Sequence, residues 1–266
     1  MNTVKKTLSI FLLLALTFAC LTEAQAQRRK VMYLQTYDAA PYHFGFLLGF
    51  NMMSYNLNLK DSYQFETHDG TTTLPASVVG THDSYRIRSV ESNMGPGFSV
   101  GVIGDLRLSD YFNLRFLPTL TLGAFKTIEY VMVDNNDNIF IEESKDRGAV
   151  FFEWPLHVKY RSKRYNNIGA YLIGGVNYKM YLSGTEKHMY SNGVPGLVQI
   201  GFSDVAVEIG AGYDIYNQWF KMGVELKASF GLLNLLKTDQ QSMEFLYNSP
   251  LEALKNNQLQ LSFTFE

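Results

Sequence analysis

Apolar and polar positions alternate with a period of two along this chain, in about eight segments that continue to its last residues. From Phe220 to Leu232 every even position is apolar, and every odd one is lysine, glutamate, serine or glycine. A strand sends successive side chains to opposite faces, so such a segment has one greasy face and one strongly polar face. No long helical pattern is available to cover the greasy faces, and the charged faces are too crowded to form a core. A closed barrel in a lipid bilayer, apolar outside and polar inside, satisfies both faces together.

The same alternation places the other strands. Phe44, Phe46, Leu48, Phe50 and Met52 are read as outward-facing in the first, and Phe98, Val100, Val102 and Leu106 in the second. The third strand begins at Phe112, and the fourth carries Phe152, Trp154, Leu156 and Val158 outward. In the fifth, Leu172, Val176 and Tyr178 face out; in the sixth the parity flips to Val205, Val207, Ile209 and Tyr213. The eighth ends with Leu259, Leu261, Phe263 and Phe265 outward. Connections alternate in length: short at 109–111, 161–167 and 217–218, long and polar at about 58–85, 130–147, 184–203 and 234–256. The expected fold is therefore all-β: an eight-stranded antiparallel outer-membrane β-barrel, with four long extracellular loops and both termini periplasmic. In the last loop, Ser249-Pro250-Leu251-Glu252 has the form of a capping box and predicts a short helix to about Lys255.

The start of the chain refines this picture. Residues 1–26 read as a signal peptide, with Lys5 and Lys6, an apolar run from Leu8 to Phe18, and Ala24-Gln25-Ala26 as the cleavage site. Residues 27–42 follow as a periplasmic lead-in, expected to be a solvated tail with a basic start, and 43–266 as the barrel. Cys20 is the only cysteine, which leaves the mature chain without disulfide or thiolate chemistry. Phe18 and Thr17 sit poorly with a lipoprotein cleavage site before Cys20. The 17 tyrosines and 19 phenylalanines suit aromatic girdles at two membrane interfaces. A formal net charge of −2, with both signs interspersed, gives no reason to expect nucleic acid as a partner.

Charge on the inward faces is the candidate chemistry. Asp105, Arg107, Arg115, Glu153, Lys159, Lys179, Glu208, Asp214, Lys221, Glu225 and Lys227 all take inward parity, five acids against six bases. Side chains just fill the interior of an eight-stranded barrel, so this set reads as a paired network that plugs the lumen. Arg107 and Lys221 lie nearest the rim. The basic turn residues Arg161, Lys163 and Arg164 form a candidate surface for a partner or for anionic lipid headgroups. Asp134-Asn135-Asn136-Asp137-Asn138 resembles the start of a calcium loop, but Ile139 and Lys145 replace its glycine and bidentate glutamate. The five histidines are scattered, and none pairs at metal-ligand spacing. His82-Asp83-Ser84 holds the residue types of a catalytic triad, yet neighbours on an extended chain point apart and cannot form a relay. The expectation is no enzyme, no metal and no cofactor.

Several blocks, in order, carry a family resemblance. They are Asp38-Ala39-Ala40-Pro41-Tyr42-His43-Phe44-Gly45-Phe46, Gly95-Pro96-Gly97-Phe98-Ser99-Val100-Gly101, and Asp105-Leu106-Arg107-Leu108. Asn113-Leu114-Arg115-Phe116-Leu117-Pro118, Phe152-Glu153-Trp154-Pro155-Leu156, Lys159-Tyr160-Arg161-Ser162-Lys163-Arg164 and Tyr171-Leu172-Ile173-Gly174-Gly175 follow. Together they resemble the PorT (SprT) family of Bacteroidetes. The resemblance implies an outer-membrane barrel needed for type IX protein secretion and, in gliding species, for motility. It implies partners among secretion components or their cargo, and it brings no catalytic residues. The rival readings are a small structural or adhesive barrel of the OmpA-like kind, and a lipid-modifying enzyme with its site at the rim.

The face assignment is directly testable. Replacing Leu226 with arginine near the bilayer midplane is expected to cost about 2–4 kcal/mol in urea unfolding from lipid vesicles. Normal folding of that variant in membranes would reverse the assignment of faces.

Overall fold

A computed structural model of the chain describes residues 31–69, 84–124, 126–145, 149–182, 201, 203–236 and 248–266. The strands are β1 (Tyr42–Leu59), β2 (Thr67–Asp69), β3 (Ser84–Asn93), β4 (Gly95–Arg107), β5 (Phe112–Phe116), β6 (Thr119–Ala124) and β7 (Thr127–Asp134). They continue with β8 (Ile139–Lys145), β9 (Ala149–Arg161), β10 (Ile168–Tyr181), β11 (Ser203–Tyr216), β12 (Lys221–Gly231) and β13 (Leu251–Phe265). Among the described residues, a 3-10 turn, Tyr37–Ala39, precedes β1.

Antiparallel pairing runs β1-β13-β12-β11-β10-β9-β5-β4, and β4 returns to β1, so the sheet closes on itself. The strands β5 and β6 are two halves of one wall strand, interrupted at Leu117-Pro118, and both halves pair with β4 and β9. The ring therefore has eight walls, and no sheet edge in it is left to lipid.

Inward and outward faces follow the alternation. Phe44, Phe50, Val102, Trp154, Leu172, Ile209 and Leu226 are exposed on the outside, while Ser99, Arg115, Glu153, Lys179, Glu208 and Gln260 are buried within. Outward aromatics gather near both ends. Phe46 stacks on Phe265, with Phe220 beside them, and Phe112 lies against Tyr160 near the short turns. Phe116, Trp154 and Phe152 form a second run farther along the wall.

Two segments expected as loops are strands instead. The walls β4 and β6 continue through the sequence into β3 and β7, which join β2 and β8 in a four-stranded sheet of order β2-β3-β7-β8. Its apolar face, with Tyr85, Ile87, Ile128, Tyr130 and Met132, shares one buried cluster with Met53, Tyr55, Phe151, Tyr181, Leu251 and Leu254 from the wall strands. The lost alternation signal has a local cause. Arg88 is an extra residue in the β3–β7 ladder, and the β6–β9 register shifts between Thr121 and Ala124, beside Gly123 at φ 71°. Such irregularities reverse the parity from one stretch of strand to the next.

The capping-box helix does not form. Leu251 to Lys255 belong to β13, paired with Leu59 to Asn56 of β1. Leu251 and Leu254 are fully buried in the apolar cluster, and that burial outweighs a capping preference worth about 1 kcal/mol. The calcium-like segment is a hairpin turn between β7 and β8, closed by bonds from Asp134 N–H to Asn138 O and from Asp137 N–H to Asp134 O. The segment expected to be a signal peptide, His82, Asp83, His188 and nearly all of the 184–203 loop lie outside the described residues.

Close packing inside the ring demands small residues at particular points. A Cβ on Gly212 would lie 2.6 Å from the Tyr171 ring and 2.6 Å from the Val224 carbonyl oxygen. Gly212→Val is accordingly expected to cost about 1–3 kcal/mol through overpacking. The measure is urea unfolding in vesicles, and an unchanged midpoint would refute the contact.

Candidate functional site

The lumen is the site where the chain concentrates its charge. Counting along the strands from the short-turn end, the inward groups fall into successive layers.

The first layer centres on Arg115, which is completely buried. Its Nε donates to Asp105 Oδ2 at 3.1 Å, its Nη1 to Glu225 Oε2 at 3.4 Å and its Nη2 to Glu266 Oε1 at 2.9 Å. Asn113 donates to the other oxygen of Asp105, and the Tyr171 hydroxyl donates to Glu225 at 3.0 Å. Lys159 pairs with Asp214 at 2.7 Å and sits 3.7 Å above the Tyr171 ring. Lys221 closes the layer on Glu266 at 2.6 Å. One planar guanidinium thus spans three carboxylates from three strands or their ends, which a lysine could not do.

An apolar patch of Leu47, Ile103 and Leu117 comes next. Beyond it, Glu208 accepts from His157 at 2.6 Å, from Lys227 at 2.9 Å and from Asn177 at 2.9 Å. Asn177 also donates to Glu153, whose other oxygen accepts from Thr121 at 2.7 Å. Thr121, Ser99 and Asn51 continue the chain of bonds across to β1. Lys179 donates to Gln258, which in turn bonds Gln260.

Among the described residues, side chains fill the lumen at both ends. At the long-loop end the Lys126 ammonium lies 4.1 Å from the Tyr55 ring, 5.2 Å from Phe151 and 5.6 Å from Tyr181, and it donates to Asn256 at 3.2 Å. Rings from three walls thus converge on one cation beneath the apolar cluster. At the short-turn end, residues 34–41 are docked rather than solvated. Tyr37 stacks on His43, its carbonyl takes a 2.7 Å bond from His43 Nε2, and its hydroxyl donates to Glu266 at 3.3 Å. Burial and the Glu266 carboxylate push the Tyr37 hydroxyl above its ordinary range, so it remains a neutral donor.

The candidate turn residues divide. Arg161 donates to Asp38 Oδ1 at 2.8 Å and to its carbonyl at 3.2 Å. Arg164 reaches Asp38 Oδ2 at 3.8 Å and the Leu34 carbonyl at 3.2 Å, and it lies 3.7 Å above the Tyr216 ring. Lys163 lines the open cleft beside them. Arg107 turns to the rim, where it pairs with Asp110 and donates to Ala39 O.

Three members of this site escaped the sequence reading. Glu266 was legible by parity, since it continues the inward series of its strand by another step of two. Lys126 was not, because the register shift after Thr121 reverses the parity that would have placed it. Asp38 gave no periodic signal at all. Among the described residues, no group of three or more histidines, cysteines or acids is arranged to hold a metal ion. The His157–Glu208 pair is enclosed, at 1% and 0% exposure.

Removing the hub leaves three carboxylates facing one another in a buried layer. Arg115→Leu is expected to destabilise the barrel by about 3–5 kcal/mol, the cost of breaking a buried ion pair from one side. Urea unfolding in vesicles reads it, and a wild-type midpoint would show that the network carries no such energy.

Among curated proteins no relative matches the chain. Among solved structures it is similar to the Neisserial surface protein A, at 9% identity and a TM-score of 0.39, covering 85% of this chain and 98% of that one. It is also similar to the outer membrane protein OprG from Pseudomonas aeruginosa, at 10% identity and a TM-score of 0.37, covering 85% and 93%. A family model described as outer membrane protein beta-barrel domain matches residues 24–237. With that match over most of its length and its closed ring of eight walls, the chain belongs to the outer membrane protein beta-barrel domain family.

Proposed function

We propose that this barrel is a non-conducting, non-enzymatic scaffold of the outer membrane that serves type IX protein secretion. The observation that carries the scaffold reading is the filling of the lumen at both ends among the described residues, by the ringed Lys126 above and by residues 34–41 below. An eight-stranded ring filled with bonded charge has no room for the aqueous channel that wider barrels keep. What such a molecule offers a partner is surface: the four-stranded sheet at one end, and the turns with the docked lead-in at the other.

The secretion role rests on the ordered blocks that resemble the PorT family, from Asp38 to Gly175. In that reading the signal peptide is cleaved near Ala26, the short-turn end faces the periplasm, and the partners are other secretion components or cargo with C-terminal sorting domains. Short turns face the periplasm in barrels of this kind. The OmpA-like alternative is favoured by the sheet of β2, β3, β7 and β8, which would meet the environment directly.

Deletion in the native host decides between them. The expected result is cargo trapped unprocessed in the periplasm and rescued by the gene in trans. Cargo reaching the surface normally would remove the secretion role and leave the adhesive one.

A further inference from the structure

We propose that residues 34–41 act as a bolt across the seam between β1 and β13, one that engages only after the ring has closed and then keeps it from reopening. The inference adds an order of events to the filled lumen, and it rests on neither the secretion role nor the adhesive one.

The seam is the weak point that chain connectivity leaves in a closed ring. Every other pair of neighbouring walls is consecutive in the chain, whereas β1 and β13 are its first and last, so no connecting segment ties them. Their ladder begins at Phe46 and Phe265, and residues 42–45 below it pair with β4. A seam that opened there would turn two edges of unpaired N–H and C=O groups toward lipid. Residues 34–41 lie at that end. The Tyr37 carbonyl is bonded to His43 of β1, and the Tyr37 hydroxyl crosses to Glu266, at the end of β13, at 3.3 Å. Its ring lies 5.0 Å from the Lys221 ammonium of β12.

From the seam the segment crosses to the far side of the ring. The wall β10 stands opposite β1 in the ring order, and Asp38 is gripped by the two walls that flank β10. Arg161, at the end of β9, donates to it at 2.8 Å, and the Tyr216 hydroxyl, at the end of β11, donates at 2.8 Å. Arg164, in the turn after β9, bonds the Leu34 carbonyl at 3.2 Å. On the remaining side Arg107 of β4 donates its side chain to Ala39 O and its backbone N–H to Pro41 O. One short segment thus takes partners from β1, β4, β9, β11, β12 and β13. Those partners are spread along the chain from His43 to Glu266, and only the closed ring gathers them around one mouth. The docking site therefore does not exist before closure, so its contacts form after the transition state for closing the ring. Interactions formed that late slow unfolding and leave the folding rate unchanged.

The test separates the two rates. The full chain and its Asp38→Ala and Tyr37→Phe variants are folded from urea into lipid vesicles and unfolded again. Both rates are read from the heat-modifiable migration of the closed barrel. Asp38→Ala is expected to unfold about ten-fold faster, Tyr37→Phe to unfold faster as well, and both to fold at the wild-type rate. Hydrogen exchange on the folded variants then locates the effect. Amides of 46–59 and 251–265 along the seam are expected to exchange faster, while those of 168–181 and 203–216 on the opposite walls keep their wild-type protection. Slower folding, or failure of either variant to close its ring, would place these contacts before closure and overturn the order of events. Unfolding at the wild-type rate would show that the segment holds nothing shut. Faster exchange spread evenly around the ring would make it a general stabiliser and overturn the bolt at the seam. Normal cargo secretion in the deletion strain would leave all of these results unaffected.

Discussion

Every backbone N–H and C=O within a bilayer must find its partner inside the protein, and the rest of this structure depends on that constraint. Here it is met by returning β4 to β1 after eight walls. Closure then dictates the side chains. Outward positions must be apolar because they meet lipid, and inward positions become the place where polarity is tolerated. The inward charge in turn must be compensated, since an isolated ion in so narrow a lumen would be costly. Arg115 bridging Asp105, Glu225 and Glu266 is the clearest product of that chain of requirements.

The lumen is stratified, and side chains of the walls themselves fill its described part. Ionic layers alternate with apolar ones: the Arg115 layer, then Leu47, Ile103 and Leu117, then the Glu208 and Glu153 layer, then the aromatic rings around Lys126. Buried ion pairs of this kind add little net stability over apolar packing but penalise mispairing heavily. A one-residue slip of any wall would turn its charges into lipid. The network thus enforces register at least as much as it adds energy.

The ends follow a different logic. The sheet of β2, β3, β7 and β8 continues the walls past the greasy band, where the alternation no longer has to oppose lipid to polar lumen. One face packs on the shared apolar cluster and the other meets water. Val131 and Val133 are intermediate in exposure on that outer face, and Ile139 and Ile141 are exposed. This weaker contrast, together with the extra residue at Arg88, is why these strands look like loops in the sequence. The segment around Ser249 shows the same conflict in reverse: a good local capping pattern lost to the burial of Leu251 and Leu254.

The amino-acid sequence by itself determined the class of fold, the number of walls and the alternation of inward and outward faces. Those properties depend on a period of two that each strand carries locally. Tertiary structure alone decided who pairs with whom: that Arg115 is the hub, that Lys126 is ringed by Tyr55, Phe151 and Tyr181, and that Asp38 occupies Arg161 and Arg164. Parity says which face a side chain takes, but its partner depends on the shear of the closed ring and on register shifts. Both bring together residues more than a hundred positions apart, such as Arg115 with Glu225 and Asp38 with Arg161.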